Sequence, residues 1–193
     1  AVKQVLAMGA DEGVLLQDDA YVGGDSHTTA KVLAAAISNL GDVDAVFCGR
    51  QAADWDVGQV GLLIAEALGW PVSILAKNVE ISDGIMRTTR VMGDGFETVA
   101  QPVPAVVTVS NEFGEPRYPK LQQIMQAAKK TVTTMTHSDL GLDANEVGAS
   151  GARLKLEKLY IPQSNSQVEI IDGETPEEQA TNLIAKLVAD KVL

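Results

Sequence analysis

The stretch Asp44-Ala45-Val46-Phe47-Cys48-Gly49-Arg50-Gln51-Ala52-Ala53-Asp54-Trp55-Asp56-Val57-Gly58-Gln59-Val60-Gly61 decides the fold. Its opening run, Asp44 to Cys48, is short and apolar, which predicts a central parallel strand. Gly49 to Asp56 reads as loop, Val57 to Leu68 as a helix ended by Gly69 and Pro71, and Val72 to Leu75 as the next strand. Strand, helix, strand in that order is the βαβ signature of a parallel α/β sheet. The loop thus leaves the carboxyl end of a buried strand, where open α/β sheets bind ligands. It enters a helix whose first N–H groups are unpaired and carry partial positive charge.

Working outward, Gly13 to Gln17 reads as a short buried strand. The apolar positions Val32, Leu33, Ala36, Ile37 and Leu40 recur at helical spacing from Ser26 to Leu40, with Asp25 or Ser26 as N-cap and Gly41 as the stop. Residues 77–101 alternate in polarity around Ser82-Asp83-Gly84 and Gly93-Asp94-Gly95, which predicts an antiparallel hairpin or three-stranded meander inserted into the α/β pattern. Pro104 to Val109 returns to a buried strand. Glu112 to Lys120 is an irregular loop, and Leu121 to Lys130 a helix. Beyond Thr131, short strand-like pieces are expected at Val132–Met135, Lys155–Ile161 and Val168–Ile171. Thr175-Pro176-Glu177-Glu178 opens a last helix that runs to about Val192. These elements predict an α/β domain over residues 1–145 and a C-terminal arm over 146–193. The arm's apolar helix face (Leu183, Ile184, Leu187, Val188) requires a partner surface. Ala1 falls inside a helical pattern, so an N-terminal strand-helix portion is expected to precede it.

Composition narrows the function. A chain of 193 residues with 46% hydrophobic residues can bury a real core. Only 4% are aromatic, which suits helices on a parallel sheet better than a β-sandwich. A net charge of −11 leaves no basic surplus for nucleic acid and disfavours anionic membranes. No apolar run is long enough to span a bilayer, and the single Cys48 forms no internal disulfide. His27 and His137 are too few and too far apart to predict a metal site. No catalytic elbow, zinc motif or ATP-pyrophosphatase loop is present, so no catalytic residue is expected.

Two segments carry chemistry. In the first, Gly49, Gly58 and Gly61 allow close approach of backbone and ligand, Ala52 leaves room beneath a ring, and Gln59 offers a donor. That favours an adenine-nucleotide phosphate cradle. By spacing alone an ordinary turn, with Asp54 or Asp56 capping the helix, has equal weight, because no Walker or G-x-G-x-x-G spacing occurs. In the second segment, Glu115, Pro116, Arg117, Tyr118, Leu121, Ile124 and Met125 suit a docking surface. On residue types alone, an ordinary loop whose Leu121, Ile124 and Met125 fill the core is somewhat favoured.

Together the two segments resemble the beta subunit of electron-transfer flavoproteins. Gly49-Arg50-Gln51-Ala52-Ala53-Asp54-Trp55-Asp56, with Gln59-Val60-Gly61, is similar to that family's nucleotide loop. Glu115-Pro116-Arg117-Tyr118, with Leu121, Ile124, Met125 and Ala127, is similar to its recognition segment. The resemblance implies a Rossmann-like fold of the adenine-nucleotide alpha hydrolase type and a heterodimer with an alpha subunit carrying redox-active FAD. It also implies a nucleotide held by Cys48, Gly49, Arg50, Gln51, Ala52, Asp54, Asp56, Gly58, Gln59, Val60 and Gly61. That nucleotide is AMP in most members and a second FAD in the electron-bifurcating ones. The Gly58-Gln59-Val60 spelling is closer to the FAD-binding group. Acyl-CoA-type dehydrogenases are the implied electron partners, docking near Leu121. The implied compartment is the cytoplasm of a bacterium or archaeon, or the mitochondrial matrix. The rival functions are a nucleotide-hydrolysing or adenylating enzyme on the same fold, and a non-redox interaction module.

Overall fold

The computed structural model describes residues 1–163 and 167–193. They form two compact units, Ala1–Lys155 and Leu156–Leu193. In the first unit the elements are α1 (Val2–Met8), β1 (Gly13–Leu16), α2 (Ser26–Leu40), β2 (Ala45–Gly49), α3 (Val60–Leu68), β3 (Val72–Ser82), β4 (Ile85–Met92), β5 (Gly95–Pro102), β6 (Ala105–Val109), α4 (Leu121–Lys129), β7 (Val132–Met135) and α5 (Gly148–Gly151). This is a Rossmann-like α/β arrangement with an antiparallel insertion.

The strands form a five-stranded sheet in the order β2-β6-β3-β4-β5 and a two-stranded parallel sheet, β1-β7. β2, β6 and β3 are parallel, and β3, β4 and β5 make the antiparallel meander. The expectation for Asp44–Cys48 needs correction, because β2 is the edge of the sheet and β6 is the buried parallel strand beside it. β1 pairs with β7 instead of β2, whereas β6 is hydrogen-bonded on both sides. Ala105, Val106 and Val107 of β6 have no solvent exposure. A second difference lies in β3. The expected short strand and the first strand of the meander are one continuous strand, bent where Leu75 takes a φ of 59° and the register with β6 shifts.

Alternation along β6 divides the core. Val106 packs with Ala30 of α2 and with Ile64 and Ala65 of α3. Ala105 and Val107 face the other way, against Ala76 and Met86. The meander coils over that second face until Gln101 of β5 donates Nε2–H to the Val106 carbonyl at 3.4 Å. α2 forms where its periodicity predicts. Its N-cap is Asp25, whose Oδ1 accepts the Thr28 N–H at 3.0 Å while Thr28 Oγ1 accepts the Asp25 N–H at 3.1 Å.

The second unit contains α6 (Pro176–Ala189), opened by Thr175, whose Oγ1 accepts the Glu178 N–H at 3.2 Å. Its Leu183, Ile184 and Val188 are exposed. Lys155–Ile161 and Val168–Ile171, expected as strand pieces, form no ladder with any described strand. A strand needs an edge to pair its N–H and C=O groups, and here Leu159, Ile161, Val168 and Ile170 stay exposed instead. Among the described residues no helix is long and apolar enough to cross a membrane.

Candidate functional site

The carboxyl ends of β2 and β6 lie side by side, with Gly49 opposite Val109. The Arg50 N–H extends this ladder by donating to the Val109 carbonyl at 2.9 Å. The chain then leaves the sheet through an exposed loop, residues 50–57, that closes on itself where the Asp56 N–H donates to the Ala52 carbonyl at 2.9 Å. Asp56 and Gly58 both have positive φ, 53° and 64°, so the chain reverses here and enters α3.

α3 begins at Val60, three residues later than the apolar pattern suggests, because the turn through Asp56 and Gly58 consumes Val57 to Gln59. Its N-cap is Gln59, and no side chain caps it. Asp54 accepts only from the neighbouring Trp55 N–H, at 2.9 Å. The helix-capping alternative for Asp54 and Asp56 therefore fails, and the first N–H groups of α3 face the strand ends without a side-chain acceptor. Gly61 brings α3 hard against the sheet. A Cβ at this position would lie 2.6 Å from Thr108 Cγ2 and 3.3 Å from Cys48 Cβ. Cys48 is half-buried, and burial pushes its thiol pKa up, as suits an inert packing residue.

The structure thus brings Gly49, Arg50, Gln51, Gly58, Gln59, Val60 and Gly61 around one strand-to-helix crossing. Two further features had no signal in the local pattern. Glu112 follows β6 and is held below the usual carboxylate range by the Ser110 hydroxyl, its own N–H and the nearby Arg50 charge. Phe47 and Phe113 meet edge-on with centroids 6.5 Å apart at 72°, and both are exposed. Each pair joins segments about 60 residues apart, so neither shows in local spacing. The loop itself is open. A cavity of about 200 Å³ lies elsewhere, beside Leu16, Tyr21 and Thr28. Among the described residues no group of acidic, His or Cys side chains is arranged to hold a metal.

The second segment is exposed at each of its candidate docking residues. Tyr118 is 89% and Leu121 73% exposed, and Ile124 and Met125 also face outward. The core-filling alternative for Leu121, Ile124 and Met125 is overturned, since it is Ala127 that turns inward against Leu6 and Ala7 of α1. The reason is amphipathic phase, which presents the long apolar side chains of α4 away from α1.

His137 is paired with Asp18. Its Nδ1 lies 2.6 Å from Asp18 Oδ2, and its N–H donates to the same oxygen at 3.1 Å. With the Ala20 N–H on the other oxygen, these contacts hold the Asp18 carboxyl at about 2. The tie joins the ends of β1 and β7.

The model of the electron transfer flavoprotein domain family matches residues 1–140. The chain is 39% identical over 194 aligned residues to the electron transfer flavoprotein subunit beta of Thermoanaerobacterium thermosaccharolyticum, covering 100% of this chain and 74% of that protein. It is 36% identical to the caffeyl-CoA reductase-Etf complex subunit CarD of Acetobacterium woodii, over 96% of this chain and 71% of that one. The beta subunit of Mycobacterium tuberculosis is 32% identical over 100% and 72% respectively. The chain belongs to the electron transfer flavoprotein family, among its beta subunits.

Proposed function

We propose that this chain holds an adenine nucleotide at the β2–α3 crossing and, paired with an alpha subunit, relays electrons between a dehydrogenase and a downstream acceptor. The observation that carries the nucleotide site is the uncapped first turn of α3, set at the carboxyl ends of β2 and β6. Open N–H groups at a helix start suit phosphate oxygens. Gly58 keeps the backbone bare at the turn, Gly61 seats the start of α3 against Thr108 and Cys48, and Gln59 and Arg50 supply donors at the rim.

Two nucleotides fit this chemistry. FAD would supply redox chemistry itself, whereas AMP would serve only to complete the fold. The apolar Val60 and the bare Gly58 favour FAD, as in bifurcating members of the family. The exposed Tyr118, Leu121, Ile124 and Met125 form the docking surface for an acyl-CoA-type dehydrogenase. CarD, a subunit of a caffeyl-CoA reductase-Etf complex, supports a CoA-linked partner of that kind. The exposed apolar face of α6 is the surface that the alpha subunit covers. The relatives are bacterial, and the cytoplasm is the proposed compartment.

The test is to purify the full-length protein with its alpha subunit and identify the nucleotides released on denaturation. Two FAD per heterodimer are expected. One FAD with one AMP would remove the bifurcating assignment and keep the site. Complexes with a single nucleotide, held by the alpha subunit, would overturn the site.

A further inference from the structure

We infer that Lys3 and Lys130 are positioning residues, which together set the angle at which α4 presents its docking face. This inference rests on the assignment of α4 as a docking element and assigns two residues outside that surface a role in it.

α4 has a thin apolar anchorage. Of its residues only Ala127 is buried, against Leu6 and Ala7. The seam beside them holds a cavity of about 90 Å³, lined in part by Gly9, Gln123 and Gln126. Ala127 alone makes a poor hinge pin, since a methyl group presents too little surface to resist rotation of a nine-residue helix. The orientation must come from elsewhere.

Polar contacts at one end supply it. The Lys3 ammonium donates to the carbonyls of Ala127 and Ala128, each at 3.3 Å, and to that of Lys130. These belong to the last turn and C-cap of α4, where the helix carries its negative end, and the Ala127 carbonyl also accepts the Lys130 N–H at 3.1 Å. One ammonium has three donors, and here it has three acceptors. Lys130, the C-cap residue, reaches back, and its Nζ donates to the Ala10 carbonyl just past α1. Two lysine side chains therefore cross the same seam in opposite directions, which opposes both sliding and rotation. At the opposite end, the Lys120 N–H is satisfied locally by Gln123 Oε1 at 2.7 Å. α4 is thus clamped at its C-terminal end, while Leu121, Ile124 and Met125 project from the rest.

The clamp is tested in the full-length heterodimer with Lys3→Met, which keeps the stem and removes the donors, with Lys3→Arg as the conservative variant. The readouts are amide exchange over residues 121–129, flavin content, and saturation of electron transfer by a purified acyl-CoA dehydrogenase. Loss of charge-assisted bonds at a helix end should speed exchange in α4 about tenfold. The half-saturating dehydrogenase concentration should rise several-fold with kcat and flavin content unchanged, and Lys3→Arg should recover most of it. Leu121→Ala serves as the control for docking. If Lys3→Met leaves α4 exchange unchanged while Leu121→Ala weakens saturation, the clamp is wrong and the docking surface stands. If Lys3→Met loosens α4 and Leu121→Ala has no effect on saturation, the docking assignment falls, and the role of the clamp with it. A Lys3→Met protein that loses thermal stability but saturates normally would reduce the clamp to a structural contact and overturn the inference.

Discussion

Gly61→Ala isolates the contact that holds α3 on the sheet. An added Cβ would stand 2.6 Å from Thr108 Cγ2 and 3.3 Å from Cys48 Cβ, and the first of these is far inside normal contact distance. Overpacking of a filled core costs about 1–3 kcal/mol. Alanine's better helix propensity returns at most about 1 kcal/mol, so the net loss should be about 1–2 kcal/mol. Thr108→Ser removes only Cγ2 and keeps Oγ1, which accepts the Leu75 N–H at 3.3 Å. Alone it should cost about 1 kcal/mol, the value of one buried methyl group. In the double variant the new methyl fills the vacated space, so the losses should not add, and the coupling should reach about 1–2 kcal/mol in favour of the pair. Urea unfolding followed by circular dichroism gives the four stabilities, and nucleotide affinity measured on the same proteins should follow them. Strict additivity within about 0.5 kcal/mol, or a stabilised Gly61→Ala, would show that this glycine is not required by packing against Thr108.

Asp25 gives a pH-dependent test. Burial raises its carboxyl, but N–H groups of Thr28, Arg153 and Leu154 outweigh that and hold it at about 2, below the ordinary 3.8. The unfolded chain therefore binds more protons between those values, so this stabilisation is complete above pH 3.8 and fades as the pH falls towards 2. Asp25→Asn should keep the α2 cap but flatten this acid limb of the stability curve, and Asp25→Ala should cost a further ~1 kcal/mol at neutral pH. Asp18, held at about 2 by the Ala20 N–H and then by His137, acts in the same window and with the same sign. Acid titration of His137→Ala should show a smaller loss, because the Asp18 carboxyl then lies closer to its ordinary 3.8, and a loss that is complete at higher pH. Gly148→Ala should be among the worst substitutions in the chain, by more than about 3 kcal/mol. Its φ is 54°, and its Cβ would fall 2.0 Å from the Ala20 carbonyl oxygen; a normal melting temperature would refute this. Leu121→Ala should slow transfer to an acyl-CoA dehydrogenase without releasing flavin, as stopped-flow reduction would report.

Much of the architecture was legible because its causes are local. The span Ser26–Leu40 follows from helical spacing and from a capping box that lies within three residues, Asp25 to Thr28. The meander turns at Ser82–Gly84 and Gly93–Gly95 and the Thr175 cap are equally near-neighbour effects. The proposed nucleotide loop and the Leu121 segment were legible as motifs, and their composition placed them on an α/β scaffold. What tertiary structure alone decided are relations between distant residues. β6 rather than Ala45–Gly49 lies between two strands because pairing depends on which edges meet, and an apolar run of five residues reads alike at an edge or a centre. The start of α3 moved to Val60 because two positive-φ residues reverse the chain first. The outward phase of Leu121, Ile124 and Met125 was set by which side of α4 meets α1, and that depends on Lys3 and Leu6, far away in sequence. Asp18 and His137 are 119 residues apart, and only the pairing of β1 with β7 brings that carboxylate to its imidazole.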